Sequence, residues 1–182
     1  PVLLVKNKNG NILAFHNVCS HRCLKLVDHP KNVGKIIRCP YHSWAYDLDG
    51  NLLVSPHFGG TNNHKPKGFV PKDNGLRSIR IKVWHDWIFI NLNNNALPFE
   101  KYAAPLIKQL KNINLQKISP VATLDFGEIS TNWKFLIENF IEPYHVQFVH
   151  KKTTSQPLKD HYTIVNGLCY GSGVDLKEED AS

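Results

Sequence analysis

Two short strings near the start of the chain bring metal-binding donors together: Cys19-Ser-His21 and, after 17 intervening residues, Cys39-Pro-Tyr-His42-Ser-Trp44. Each supplies one thiolate and one imidazole. In one type of [2Fe–2S] centre, two Cys thiolates hold one iron and two His imidazoles hold the other, which raises the reduction potential above that of an all-Cys cluster. One Cys and one His per string matches that division, with Cys19 and Cys39 on one iron and His21 and His42 on the other. A structural zinc site also accepts two Cys and two His, but zinc fingers pair like ligands in C-x2-4-C and H-x3-5-H blocks, unlike these mixed ones. A Cys19–Cys39 disulfide would need an oxidising compartment, for which nothing in the sequence argues. Unrelated packing roles for the four residues would leave their spacing a coincidence.

A second set of donors lies about 100 residues on. In the string Glu138-Asn-Phe-Ile-Glu142-Pro-Tyr-His145-Val-Gln-Phe-Val-His150, two His are five positions apart and Glu142 precedes the first by three. On a regular helix, Glu142 and His145 share a face and His150 is swung away. The backbone must therefore deviate if both His are to meet one metal. Pro143 supplies a cause, since it lacks an amide donor and disfavours helix at Glu142; a π-bulge would serve equally. Two His and one carboxylate with open positions is the arrangement by which non-haem Fe(II) enzymes admit O2. Taken alone, H-x4-H is weak evidence, and two surface histidines are the better reading of it.

The elements that must position these donors follow from periodicity. Val2 to Val5 and Ile12 to Phe15 flank the turn-forming Asn7-Lys-Asn-Gly-Asn11, and Trp44 to Leu48 and Leu52 to Val54 flank Asp49-Gly50. Leu76 to Trp84 alternates Ile79, Ile81 and Val83 with polar residues, as a half-buried strand does, and Trp87 to Leu92 reads as the next strand. Ser55 to Asn74, rich in Gly, Pro, Asn and His, reads as a long functional loop. The composition shifts at Asn93 to Pro98. Beyond it, residues 99 to 115 have helical spacing, Val121 to Ile129 looks like a strand, and Thr131 to Ile141 reads as a helix with Trp133, Leu136, Ile137 and Phe140 on one side. The expectation is a mostly β, α+β chain in two parts, a small all-β domain over residues 1–97 and the start of a second domain over 98–182.

With 22 basic against 15 acidic residues the chain carries a net charge of +7. Its lysines are scattered along the sequence, which favours a solvated basic face over a nucleic-acid site. No apolar run approaches the roughly 20 residues of a membrane helix, and the start lacks the pattern of a signal peptide, so a cytoplasmic protein is expected. The sequence has no methionine and begins at Pro1, which reads as a processed form or, preferably, a fragment.

Residues 16–54, with Cys-Ser-His-Arg followed by Cys-Pro-Tyr-His-Ser-Trp-Ala-Tyr-Asp-Leu-Asp-Gly-Asn-Leu, resemble the Rieske domain of α subunits of ring-hydroxylating, or Rieske non-haem iron, oxygenases. Asn132-Trp-Lys and Glu138 to His150 resemble the catalytic-domain motif of the same family. Two departures stand out: the family usually has Gly where this chain has Cys23, and Gly where it has Ser43. Rieske proteins of respiratory complexes carry an additional disulfide between the loops. Tyr41 occupies the place of its second cysteine, so the resemblance is to the oxygenase type, with Cys23 read as free and buried.

The resemblance implies a helix-grip catalytic domain, a [2Fe–2S] cluster, and a mononuclear non-haem Fe(II) held by His145 and His150. It implies Glu142 as a carboxylate that bridges, between subunits of a homotrimer, to a cluster-ligating His. The third iron ligand lies downstream of this chain; Asp160, Asp175, Glu178, Glu179 and Asp180 do not sit at a matching place. Electrons would come from NAD(P)H through a reductase or ferredoxin, and O2 would hydroxylate a small organic substrate, either an aromatic compound or a quaternary ammonium compound, to which the Glu-x-Tyr-His form points. This fragment by itself would be inactive. Two alternatives stay open: a Rieske-type electron carrier without oxygenase activity, and a zinc-stabilised binding module.

Overall fold

The structure is a computed structural model of the 182-residue chain and describes residues 1–153 and 157–175. The chain divides into two compact units, Pro1–Ala96 and Leu97–Ser182.

In the first unit, strands β1 (Val2–Lys6) and β2 (Ile12–His16) form an antiparallel hairpin in which Val2 faces His16 and Lys6 faces Ile12. Its turn is held by Asn7, whose side-chain oxygen accepts the backbone N–H groups of Asn9 and Asn11. Two small strands, β3 (Ile37–Arg38) and β4 (Ala45–Tyr46), join β5 (Leu52–Val54) in a second sheet of order β3-β4-β5. The turn between β4 and β5 needs Gly50: its φ is +86°, and a Cβ there would stand 2.5 Å from the Phe15 ring. Strands β6 (Ser78–Trp84) and β7 (Trp87–Asn91) complete a four-stranded antiparallel sheet of order β1-β2-β6-β7.

The core of this unit is apolar and continuous, built from Leu3, Val5, Phe15, Leu26, Ile37, Trp44, Tyr46, Leu52 and Leu76. Alternation along β1 puts Leu3 and Val5 inward and Val2, Leu4 and Lys6 outward. Cys19 and Cys39 belong to the same buried cluster, so the core itself carries the two thiols. The long segment from Ser55 to Asn74 ends in a short 3-10 turn, Pro71–Asn74.

The second unit begins with two short helices, α1 (Phe99–Tyr102) and α2 (Ala104–Gln109). Helix α3 (Trp133–Ile141) starts at Asn132, whose side chain caps it by accepting the Lys134 N–H, and stops at Glu142, where the backbone turns extended (φ −107°, ψ 109°). A short helix, α4 (Val146–Val149), follows, and strands β8 (His161–Asn166) and β9 (Cys169–Val174) form an antiparallel hairpin. The Thr163 hydroxyl donates to the Ile141 carbonyl, tying the hairpin to the end of α3.

The strand expected over residues 121–129 does not form. Among the described residues no segment pairs with it, and Val121 and Phe126 are 99% and 81% exposed. Alternating apolar residues alone cannot make a strand without a ladder partner for the backbone groups. Among the described residues, no helix is long and apolar enough to cross a membrane.

Candidate metal centres

Two loops of the first unit share one hydrogen-bonding plan. In the first, which follows β2, Cys19 N–H donates to Leu24 O (2.8 Å) and Cys23 N–H donates to Cys19 O (2.9 Å). In the second, which follows β3, Cys39 N–H donates to Trp44 O (2.8 Å) and Ser43 N–H donates to Cys39 O (3.1 Å). Each loop thus closes on its own cysteine, and the fifth residue, Cys23 or Ser43, adopts positive φ (53° and 59°). These are the two places where the sequence departs from glycine, and the left-handed backbone there is the reason glycine suits them.

Cys23 proves exposed rather than buried. The tight turn directs its side chain outward, while the thiols of Cys19 and Cys39 point into the core, each with only 2% of the residue exposed. All four cysteines are free, so the Cys19–Cys39 disulfide is not formed. Burial pushes the Cys19 thiol up; the Tyr46 hydroxyl works against that rise, and the adjacent Cys39 thiol adds to it.

The two histidines stand outside the thiols. His42 is exposed and His21 half-buried, with ring centroids 4.7 Å apart and planes at 63°. His21 stacks flat on the buried Trp44 at 4.9 Å, and Phe58 meets it edge-on at 5.6 Å. Tyr41 lies against His42 at 3.8 Å. Burial, followed by the charges of His42 and Arg22, lowers the His21 pKa, which favours the neutral imidazole that metal ligation requires.

Two thiols inside and two imidazoles outside suit a cluster that runs from core to surface with unlike ligands on its two irons.

Further residues support the first loop, and the ligand spacing alone does not reveal them. Tyr46 Oη is 3.2 Å from Cys19 Sγ and also receives the Ser20 N–H at 3.2 Å. The Ser20 hydroxyl donates to Asn74 O (2.7 Å) and lies 3.1 Å from Tyr46 Oη, so the phenol has both Ser20 Oγ and Cys19 Sγ within hydrogen-bond reach. Burial raises the Tyr46 pKa, so the phenol keeps its proton. Buried Asn17 holds the loop's return: its oxygen accepts the N–H groups of Leu26 and Val27, and its amide donates to Val27 O at 2.7 Å.

In the second unit, the break between α3 and α4 falls at Glu142-Pro143-Tyr144, where Pro143 called for one, and no π-bulge is used. The break leaves His145 and His150 at the two ends of α4, with ring centroids 5.4 Å apart. Glu142 folds back on His145, its Oε2 lying 2.9 Å from Nδ1 and its Oε1 accepting the His145 N–H at 2.9 Å. The bond to the His145 ring lowers the Glu142 pKa. With Nδ1 held by a carboxylate, Nε2 of His145 is the nitrogen available to a metal. No third donor from the described residues joins His145 and His150; Asp160 and Asp175 are bound to one another's segment by a backbone hydrogen bond (2.8 Å), and Glu178, Glu179 and Asp180 lie outside the described residues.

Comparison with known proteins assigns both parts. Residues 1–65 match the Rieske [2Fe-2S] domain, and residues 107–177 match the ring hydroxylating alpha subunit (catalytic domain). The chain is 36% identical over 151 residues to the glycine betaine monooxygenase oxygenase subunit of Pseudomonas aeruginosa (strain UCBPP-PA14), covering 82% of this chain and 33% of that protein. It is 28% identical over 167 residues to the 2-aminobenzenesulfonate 2,3-dioxygenase subunit alpha of Alcaligenes sp, covering 89% of this chain and 41% of that protein. Among solved structures, the quaternary ammonium Rieske monooxygenase CntA superposes with a TM-score of 0.74 over 91% of this chain and 45% of that chain, at 23% identity, a likeness of fold. The chain spans between a third and a half of the length of these relatives.

Proposed function

Since the chain belongs to the α subunits of the Rieske non-haem iron oxygenases, we propose that the full-length protein uses electrons from NAD(P)H, delivered by a reductase or ferredoxin, to hydroxylate a small organic substrate with O2. It works as a cytoplasmic homotrimer, the assembly that brings one subunit's cluster to another's iron. The observation that carries this reading is the pair of like-shaped loops that set Cys19 and Cys39 inward and His21 and His42 outward.

In this reading the Cys19 and Cys39 thiolates hold one iron of the cluster, and the His21 and His42 imidazoles hold the other. His145 and His150 hold the mononuclear Fe(II), with a third ligand from outside this chain. When bound, the cluster supplies one-electron transfer and the single iron supplies O2 activation. The protein's own part is orientation: Trp44 fixes the His21 ring, Tyr46 donates to Cys19, and Glu142 fixes His145 while remaining half-exposed for a neighbouring subunit's cluster histidine. A quaternary ammonium substrate is favoured by the 36% identity to a subunit named for glycine betaine. An electron carrier without oxygenase chemistry would have no use for the second unit, whose match spans residues 107–177.

The test is substrate-dependent O2 consumption by the full-length protein with a matched reductase, offered glycine betaine, carnitine and an aromatic acid in parallel. Consumption with a quaternary ammonium compound is expected. Consumption with the aromatic acid alone would overturn the substrate class, and reduction of the cluster with no O2 consumption for any of the three would overturn the oxygenase reading.

A further inference from the structure

We propose that Ser20 is a positioning residue for electron uptake: it holds the Tyr46 hydroxyl while the cluster is oxidised and yields it to the Cys19 sulfur on reduction. The proposal rests on the cluster reading above and gives a role to the one residue that stands between Cys19 and His21.

Each hydroxyl has one proton to give, and that decides the arrangement. Ser20 Oγ lies 2.7 Å from Asn74 O and 3.1 Å from Gly75 O, and carbonyl oxygens can only accept. The Ser20 hydroxyl proton is therefore committed to that pair, which leaves the Oγ lone pairs facing Tyr46 Oη at 3.1 Å. Tyr46 Oη in turn receives the Ser20 N–H at 3.2 Å. Its own single proton then has two acceptors at nearly equal reach, Ser20 Oγ at 3.1 Å and Cys19 Sγ at 3.2 Å. Burial keeps the phenol protonated, so only the direction of that proton is open.

The two carbonyls that commit Ser20 are held by their own neighbours. Asn74 closes the 3-10 turn Pro71–Asn74, and its side-chain amide donates to Val70 O at 2.9 Å. Beyond it, the Leu76 N–H donates to Gly50 O at 2.7 Å, and a Cβ on Gly75 would stand 2.8 Å from that same oxygen. Ser20 is thus a fixed acceptor although it is exposed, while Cys19 is buried.

The choice between the two acceptors depends on charge. A thiolate that has given electron density to an oxidised iron accepts weakly, and Ser20 Oγ then holds the proton. An added electron returns charge to the sulfur, and a hydrogen bond to a charged acceptor is roughly twice as strong as a neutral one. Rotation about the phenol C–O bond then carries the proton to Cys19 Sγ. One electron enters, no proton leaves, and no covalent bond is made or broken. Because reduction must give up the Tyr46–Ser20 bond, Ser20 lowers the potential.

The midpoint potential of the full-length protein, read by protein-film voltammetry, tests this in a cycle with Tyr46→Phe. Ser20→Ala removes the competing oxygen and should favour the reduced form by roughly threefold, a rise of about 30 mV at about 59 mV per tenfold. In the Tyr46→Phe background the same substitution should shift nothing, because no proton is left to direct. Ser20→Thr restores the hydroxyl and should give the parent potential. Ser20→Cys fills the site with a weak acceptor and should raise the potential as alanine does, which serves where the alanine variant loses its cluster. An unchanged or lowered potential in Ser20→Ala and Ser20→Cys, with cluster absorbance intact, overturns the role of Ser20 alone. A rise that persists undiminished in Tyr46→Phe also overturns it, since Ser20 would then act without the phenol. Loss of the cluster from both variants would make Ser20 a structural residue and overturns the proposal as well. Absence of any cluster in the parent protein overturns the underlying reading along with it.

Discussion

Cys23 and Ser43 hold equivalent places in two loops of one shape, each donating its N–H to the carbonyl of the buried cysteine four residues before it, and both at positive φ. A side chain in the left-handed region costs roughly 1–2 kcal/mol relative to glycine in the same conformation. Part of that cost returns as the lower unfolded-state entropy of a non-glycine residue. Ser43→Gly and Cys23→Gly should therefore each stabilise the protein by up to about 1 kcal/mol, read as a rise in the midpoint of thermal unfolding, with cluster absorbance unchanged. A fall in the midpoint would mean that either side chain contributes something its exposure hides.

Tyr46 should set the electron affinity of the cluster. Its hydroxyl lies 3.2 Å from Cys19 Sγ, and a hydrogen bond donated to a charged sulfur favours the more negative, reduced state. Tyr46→Phe removes the donor while keeping the ring, so the midpoint potential should fall by about 40 mV for a difference of about 1 kcal/mol between the two redox states. Protein-film voltammetry reads the shift directly. An unchanged potential would show that the phenol serves packing only.

Asn17 ties down the loop that carries Cys19 and His21 with three hydrogen bonds while itself 4% exposed. Asn17→Ala strands two backbone N–H groups and one carbonyl, at a cost of about 2–3 kcal/mol. Chemical denaturation should report that loss, and cluster retention during purification should drop with it. A variant as stable as the parent would mean that water replaces all three bonds.

Much of this arrangement was legible in the sequence, and the reason is local chemistry. The hairpin at Asn7 to Asn11, the turn at Asp49-Gly50 and the helix capped by Asn132 each depend on residues within a few positions, and each is found where those residues require it. The break at Pro143 likewise needed only the lost amide donor and the restriction on Glu142. What was not legible depends on distant partners. Tyr46, set on β4 opposite Ile37, reaches Cys19 across 27 positions through the packing of the common core. The expected strand at 121–129 had the right residue types but no ladder partner among the described residues. Cys23, read as free and buried because Tyr41 stands where its disulfide partner would be, is free but exposed, carried outward by a left-handed turn. The helical face of Trp133, Leu136, Ile137 and Phe140 was read correctly as apolar, yet these residues are 43–77% exposed in this chain.

Glu142 separates structure from turnover. In the full-length enzyme, Glu142→Ala should leave both the cluster spectrum and the iron content in place and reduce turnover by several orders of magnitude, since the carboxylate orients His145 and, in the proposed trimer, would meet a neighbouring subunit's cluster histidine. Glu142→Asp should recover part of the rate because it restores the charge at shorter reach. Retained turnover in the alanine variant would remove Glu142 from the electron path.

Nitrogen couplings in pulsed EPR of the dithionite-reduced full-length protein test whether His21 and His42 ligate one iron of a cluster whose other iron is held by Cys19 and Cys39. The reduced protein should give a [2Fe–2S] signal with strong couplings to two directly bound imidazole nitrogens, and His42→Ala should abolish that signal. A reduced cluster without bound-nitrogen couplings, or a protein that holds zinc and neither iron nor acid-labile sulfide, would contradict that ligand set.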